Sequence, residues 1–98
     1  MSKLAVIGTA EAAPENRDQV ASLLMAHGAR CLKDEPGTLQ FAVMIPQDDD
    51  AKVRLYEVYE DDTAFELHRN GASRARWLEE SAGLGVKITF TRCTFLEK

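Results

Sequence analysis

Leu55-Tyr56-Glu57-Val58-Tyr59-Glu60-Asp61-Asp62-Thr63-Ala64-Phe65-Glu66-Leu67-His68 decides the fold. It opens as a strand of β-branched and aromatic residues, passes an acidic helix start at Asp61 or Asp62, and continues as an amphipathic helix carrying a histidine. Strand alternation puts Leu55, Glu57 and Tyr59 on one face and Tyr56 and Val58 on the other. A carboxylate and an imidazole therefore sit on two elements that should pack together.

Working outward, the same strand extends back to Lys52. A polar turn, Pro46-Gln47-Asp48-Asp49-Asp50, joins it to a preceding strand from Thr38 to Ile45, so the two should pair as an antiparallel hairpin. Glu35-Pro36-Gly37 ends a long helix, because the residue before a proline is pushed out of the α region. That helix should run from about Pro14 to Lys33, with Val20, Ala21, Leu24, Gly28, Cys31 and Leu32 as its apolar stripe and His27 on the border. Leu4 to Ala10 reads as the first strand. Beyond His68, Asn70-Gly71 marks a pause. A second helical piece covers Ala72 to Ser81, Gly83 and Gly85 stop it, and Val86 to Leu96 forms the last strand.

The order β-α-β-β-α-β predicts an α+β, ferredoxin-like unit: a four-stranded antiparallel sheet with its helices on one face. Residues 1–98 read as one domain. The second strand is apolar on both sides, with Leu39, Phe41, Val43 and Ile45 on one and Ala42 and Met44 on the other. Helices cover only one face, so a second copy packed sheet to sheet is the simplest cover, and a homodimer is predicted. A monomer would leave Met44, Tyr56 and Val58 wet.

A net charge of -4 lacks the basic face that nucleic acid needs and disfavours anionic membranes. No apolar run approaches the roughly 20 residues of a spanning helix, and the N-terminus is too short in apolar residues for a secretory signal. Cys31 and Cys93 form no metal spacing and no disulfide framework, so a reduced cytoplasmic protein with Cys31 and Cys93 as apolar fillers is expected. No metal or nucleotide motif appears, and neither metal nor cofactor is expected.

Glu35-Pro36-Gly37-Thr38-Leu39, then Tyr56-Glu57-Val58-Tyr59-Glu60-Asp61, then Ala64 with His68, resemble the antibiotic biosynthesis monooxygenase (ABM) domain family over nearly the whole chain. The resemblance implies a dimeric α/β barrel of ferredoxin-like units. It also implies one of several activities: cofactor-independent oxidation of quinols and aromatic polyketides, haem degradation, or isomerisation of a phosphorylated autoinducer. Many relatives have a second histidine where this chain has Ser73. Haem-degrading relatives require residues that Gly8 or Thr9, His68 and Leu78 do not match. The strand-end tryptophan of relatives is Tyr59 here.

The resemblance implies that Glu57 faces a cavity between sheet and helices. A buried carboxylate needs a partner, and His68 is the available one. Together they would make a base and its orienter for deprotonating a phenol or enol. A Glu–His bond that merely ties helix to sheet is the plainer alternative. His27, Tyr59, Trp77 and Arg76 are the candidate substrate contacts. Each also has an ordinary reading: packing for His27 and Trp77, a strand aromatic for Tyr59, and a solvated helix face for Arg76 and its neighbour Arg74.

The leading expectation is a cofactor-independent monooxygenase acting on a small phenol, quinol or enol with molecular oxygen. The alternatives are an isomerase of a small hydroxy-carbonyl compound and a non-catalytic dimeric binding module.

Overall fold

The computed structural model describes residues 2–96. Its elements are β1 (Leu4–Glu11), α1 (Pro14–Asp34), β2 (Thr38–Met44), β3 (Lys52–Tyr59), α2 (Asp62–Arg69), α3 (Ala72–Ser81) and β4 (Lys87–Thr94). The strands form one antiparallel sheet in the order β2-β3-β1-β4, the ferredoxin-like arrangement. β1 lies centrally, with Leu4 opposite Tyr59 on β3 and Thr94 on β4.

Proline opens α1, where its missing N–H costs nothing, with Glu15 in the first turn. At the other end Glu35, held before Pro36, takes an extended conformation (φ -114°, ψ 101°) while its N–H still reaches Cys31 O. The buried stripe of α1 is Val20, Leu24, His27, Gly28 and Cys31. This corrects two sequence expectations. His27 lies inside the stripe and is buried, and Leu32, a further 100° round the helix from Cys31, is exposed. At Gly28 the helix comes so close to β2 that a Cβ would overlap the Phe41 ring.

Two apolar clusters fill the space between sheet and helices. One gathers Ala10, Val20, Leu24, Val53, Leu55 and Trp77 beneath α1 and α3. The other gathers Leu4, Val6, Tyr59, Ala64 and Phe65 beneath α2. Along β3 the inward residues run Leu55, Glu57, Tyr59, so the one carboxylate falls between the clusters.

A β-bulge between Thr38 and Gln40 puts Leu39 out of step with Phe41 and Val43, and Leu39 is exposed. On the sheet face away from the helices, Ile7 (52 %) and Met44 (47 %) are exposed and Tyr56 is half-buried. Val58 departs from expectation. It is buried within the single chain, between its cross-strand partners Ala5 and Gln40.

Candidate functional site

Four elements converge on the gap between the two clusters. β3 supplies Glu57 and Tyr59, α1 supplies His27 and Cys31, the turn after α1 supplies Glu35, and α2 supplies His68. The start of α2 is fixed by Asp61, whose Oδ1 accepts the Ala64 N–H at 2.8 Å. It is also fixed by Gly37, where a Cβ would overlap that of Ala64. The 35–37 turn thus lies against the first turn of α2, and the helix carries His68 back over Glu35.

His68 Nδ1 and Glu35 Oε1 are 2.9 Å apart. The same oxygen accepts the Thr38 hydroxyl at 2.7 Å. An ionised carboxylate only accepts, so Nδ1 is the donor of this bond, and in the neutral ring the Nε2 lone pair is left for other partners. The Tyr59 hydroxyl donates to Glu57 Oε1 at 2.5 Å. This corrects the expected pairing. Glu57 and His68 border the same space, but the partner of His68 is Glu35 and the partner of Glu57 is Tyr59. The reason is reach: Glu57 and Tyr59 are two apart on one strand face, whereas Glu35 is delivered to the helix by the pre-proline turn.

Burial raises the pKa of the Glu57 carboxyl, partly offset by the Tyr59 hydrogen bond and by His68. Burial and the Glu57 charge push the Tyr59 hydroxyl up strongly, so it remains a donor. His27 is lowered to about 4 by burial and by His68, which keeps it neutral at pH 7. Cys31 lies between the rings and is pushed up to about 12 by burial and by Glu35 and Glu57. His68 is further enclosed by the rings of Tyr59 (centroids 5.2 Å) and Phe65 (6.3 Å).

Beside this cluster lies a cavity of about 290 Å³. Glu57, His68 and His27 form its polar wall. Phe41, Leu55, Phe65 and Trp77 give it an apolar body, and Ile88 and Phe90 of β4 line its open side. The volume suits a one- or two-ring compound, near the lower end of ligand sites. Arg69 and Arg74, both exposed, stand where the cavity meets solvent.

Of the sequence-derived contacts, His27 and Trp77 reach the cavity wall, their rings 6.1 Å apart. Tyr59 does not: it is fully buried and its hydroxyl is committed to Glu57, so it positions that carboxylate rather than meeting a ligand. Arg76 does not either. It points away and pairs with Glu80 at 3.4 Å, and the cationic wall falls to Arg69 and Arg74. Glu35 was missed as a site residue. Its signal was the carboxylate directly before the helix-ending proline.

The match to known proteins agrees with this architecture. Residues 4–80 match the model of the antibiotic biosynthesis monooxygenase family, and the chain belongs to that family. A Nitrosomonas europaea protein, assigned by inference to the antibiotic biosynthesis monooxygenases, is 18% identical with TM-score 0.87, covering 97% of this chain and 91% of its own. A Caulobacter crescentus protein with the same kind of assignment is 13% identical, TM-score 0.87, with coverages of 98% and 92%. A Pseudomonas aeruginosa protein is 24% identical, TM-score 0.86, with coverages of 99% and 97%. At these identities the likeness is one of fold. No curated protein matches the chain significantly.

Proposed function

We propose that this chain is a cofactor-independent monooxygenase of a small phenol, quinol or enol, with His68 as base, Glu35 as its positioning residue and Glu57 as a second proton carrier. The observation that carries the reading is the Glu35–His68 bond at 2.9 Å, which commits Nδ1 and leaves Nε2 for a substrate in a cavity that Glu57 also lines. Monooxygenase membership of the family supports the reaction class.

Deprotonation of a quinol hydroxyl by Nε2 gives an electron-rich anion. That anion passes electrons to O2, a ring carbon bonds one oxygen, and the other oxygen leaves as water. The sum is quinol plus O2 giving hydroxyquinone plus water, with the substrate as sole reductant. The leaving oxygen needs a proton, and the Glu57 carboxyl, with its pKa raised by burial, is suited to supply it. The aromatic walls exclude water from the anion.

The acting unit is read as a homodimer formed through the outer sheet face that bears Ile7 and Met44. Among the described residues no helix is long and apolar enough to cross a membrane, and both cysteines are free. A cytoplasmic setting is the reading consistent with reduced thiols.

The test is oxygen uptake with a panel of quinols and polyphenols, without added flavin, haem or metal. Uptake above autoxidation that falls with His68→Ala supports the proposal. Substrate rearrangement without oxygen uptake would replace it with an isomerase. Tight binding without turnover, surviving His68→Ala, would replace it with a binding module.

A further inference from the structure

His27, Cys31 and His68 meet although they come from two helices, and their donor atoms all lie within 4.8 Å of one another. Cys31 Sγ is 3.6 Å from His27 Nε2 and 3.6 Å from His68 Nδ1. Zinc bonds of ~2.3 Å to sulfur and ~2.0 Å to nitrogen, at the tetrahedral angle, require a sulfur–nitrogen separation of about 3.5 Å. Both measured edges already have that length.

We propose that His27, Cys31 and His68 form a zinc-binding site at the inner end of the cavity. The spacing on α1 is the helical i, i+4 of His27 and Cys31, which puts two ligands on one face. His68 closes the site from α2. Glu35, whose Oε1 is 2.9 Å from His68 Nδ1, stands beside the three-residue set as a nearby anion, and the fourth position is left to water or a ligand entering from the cavity. When that nitrogen binds metal, its proton moves to Nε2 and the Glu35 carboxylate loses that donor while keeping the Thr38 hydroxyl.

The charges balance. The bound thiolate offsets one charge of Zn2+ and the neighbouring Glu35 carboxylate the other, and the thiol releases one proton to solvent. His27 is kept neutral by its surroundings and so has a lone pair to give. The field of Glu35 and Glu57 that opposes a free thiolate is the field that attracts a cation. His27 and His68 both border the cavity, which gives the ion a path in. A set of two imidazoles and a thiolate favours zinc over magnesium or calcium.

The inference stands apart from the oxygenase reading, because it concerns ion binding without substrate. It does imply that the loaded form holds a proton on His68 Nε2 and has no base there.

The test is titration of EDTA-stripped protein with CoCl2, then with ZnSO4. The expected result is a thiolate-to-cobalt charge-transfer band that saturates at one ion per chain and is bleached by zinc. The band should vanish in Cys31→Ser and persist in Cys93→Ser. Glu35→Gln should weaken zinc about 10–100-fold. If Cys31→Ser fails to fold by circular dichroism, His27→Gln decides, with more than tenfold weaker zinc expected. The proposal is overturned by no band in the wild type, by a band that survives Cys31→Ser, by one lost in Cys93→Ser, or by unchanged affinity in His27→Gln.

Discussion

Glu35 Oε1 lies 2.9 Å from His68 Nδ1 and ties the end of one helix to the inner face of another. The bond selects a tautomer, and the selection is testable. Glu35→Gln keeps the size but can present either an oxygen or an NH2 group to the ring, so Nε2 is no longer reliably free. We expect kcat to fall about tenfold or more, with a changed pH profile and little change in KM. His68→Ala should cost about 10²–10⁴ in kcat, the usual contribution of a positioned base. A Glu35→Gln enzyme with the wild-type rate and pH profile would remove Glu35 from the mechanism.

Tyr59→Phe isolates the second pair. The hydroxyl is fully buried and serves Glu57. Without it Glu57 Oε1 loses its donor, which should destabilise the fold by about 1–3 kcal/mol in urea unfolding. The Tyr59 hydrogen bond lowers the Glu57 pKa, so its loss must raise that pKa further. NMR titration of the Glu57 side-chain carbon should show an upward shift. A downward shift would contradict the assignment.

Gly28→Ala tests how closely α1 must approach the sheet. The new methyl overlaps the Phe41 ring, and Phe41 in turn packs edge-on against His27 at 5.4 Å. Either helix or ring must move. We expect a loss of about 1–3 kcal/mol by thermal or urea unfolding, the usual cost of overpacking, with the cavity wall disturbed as well. Unchanged stability would show that Phe41 has room to rotate.

Most of this scaffold was legible from the sequence because its signals are local. Strand alternation put Leu55, Glu57 and Tyr59 on one face and the family resemblance turned that face inward, Pro14 and Glu35-Pro36-Gly37 bounded α1, and Gly83 and Gly85, both at positive φ, ended the helical segment before β4. The partners within the site were less legible because they depend on where separate elements meet. Glu35 looks like a helix terminator until α2 is seen to lie against it. Arg76 was misplaced because the break at Asn70-Gly71 resets the helical phase, so the face of α3 cannot be extrapolated from His68. Leu39 was misassigned because a one-residue bulge has no composition of its own. That Cys31 meets two rings was only half legible, because His27 is four residues back on the same helix but His68 comes from another.

The buried imidazole of His27 should make the metal-free protein sensitive to acid. It is neutral in the fold down to about pH 4, against an ordinary value of 6.5. Its contribution is therefore complete above pH 6.5 and is lost as pH falls from there toward 4, levelling off below. The full shift corresponds to roughly 3 kcal/mol as an upper limit. Arg30, Cys31, Glu35 and His68 face the ring and stay in place in His27→Phe, so the difference between wild type and variant isolates His27. The stability of wild type relative to that variant, read from urea midpoints, should therefore fall as pH drops from 7 to 4, whatever the difference at pH 7. A constant difference across the range would refute the assignment.

The outer sheet face sets the last prediction. Ile7 lies in central β1 yet is 52 % exposed, and Met44 at the end of β2 is 47 % exposed. Half-buried Tyr56 sits directly across from Ile7. An apolar patch on central strands is unfavourable in water, and a two-fold related copy would bury the same patch on both chains at once. Light scattering at micromolar concentration should therefore give twice 10.9 kDa. Ile7→Lys puts a charge on the patch of each copy and removes apolar area, so it should shift the mass toward one chain while far-ultraviolet circular dichroism stays native. Because Ile7 points away from the cavity, any loss of turnover in a folded Ile7→Lys monomer would show that the site depends on the second copy. A wild-type mass near 10.9 kDa would mean the exposed face has some other use.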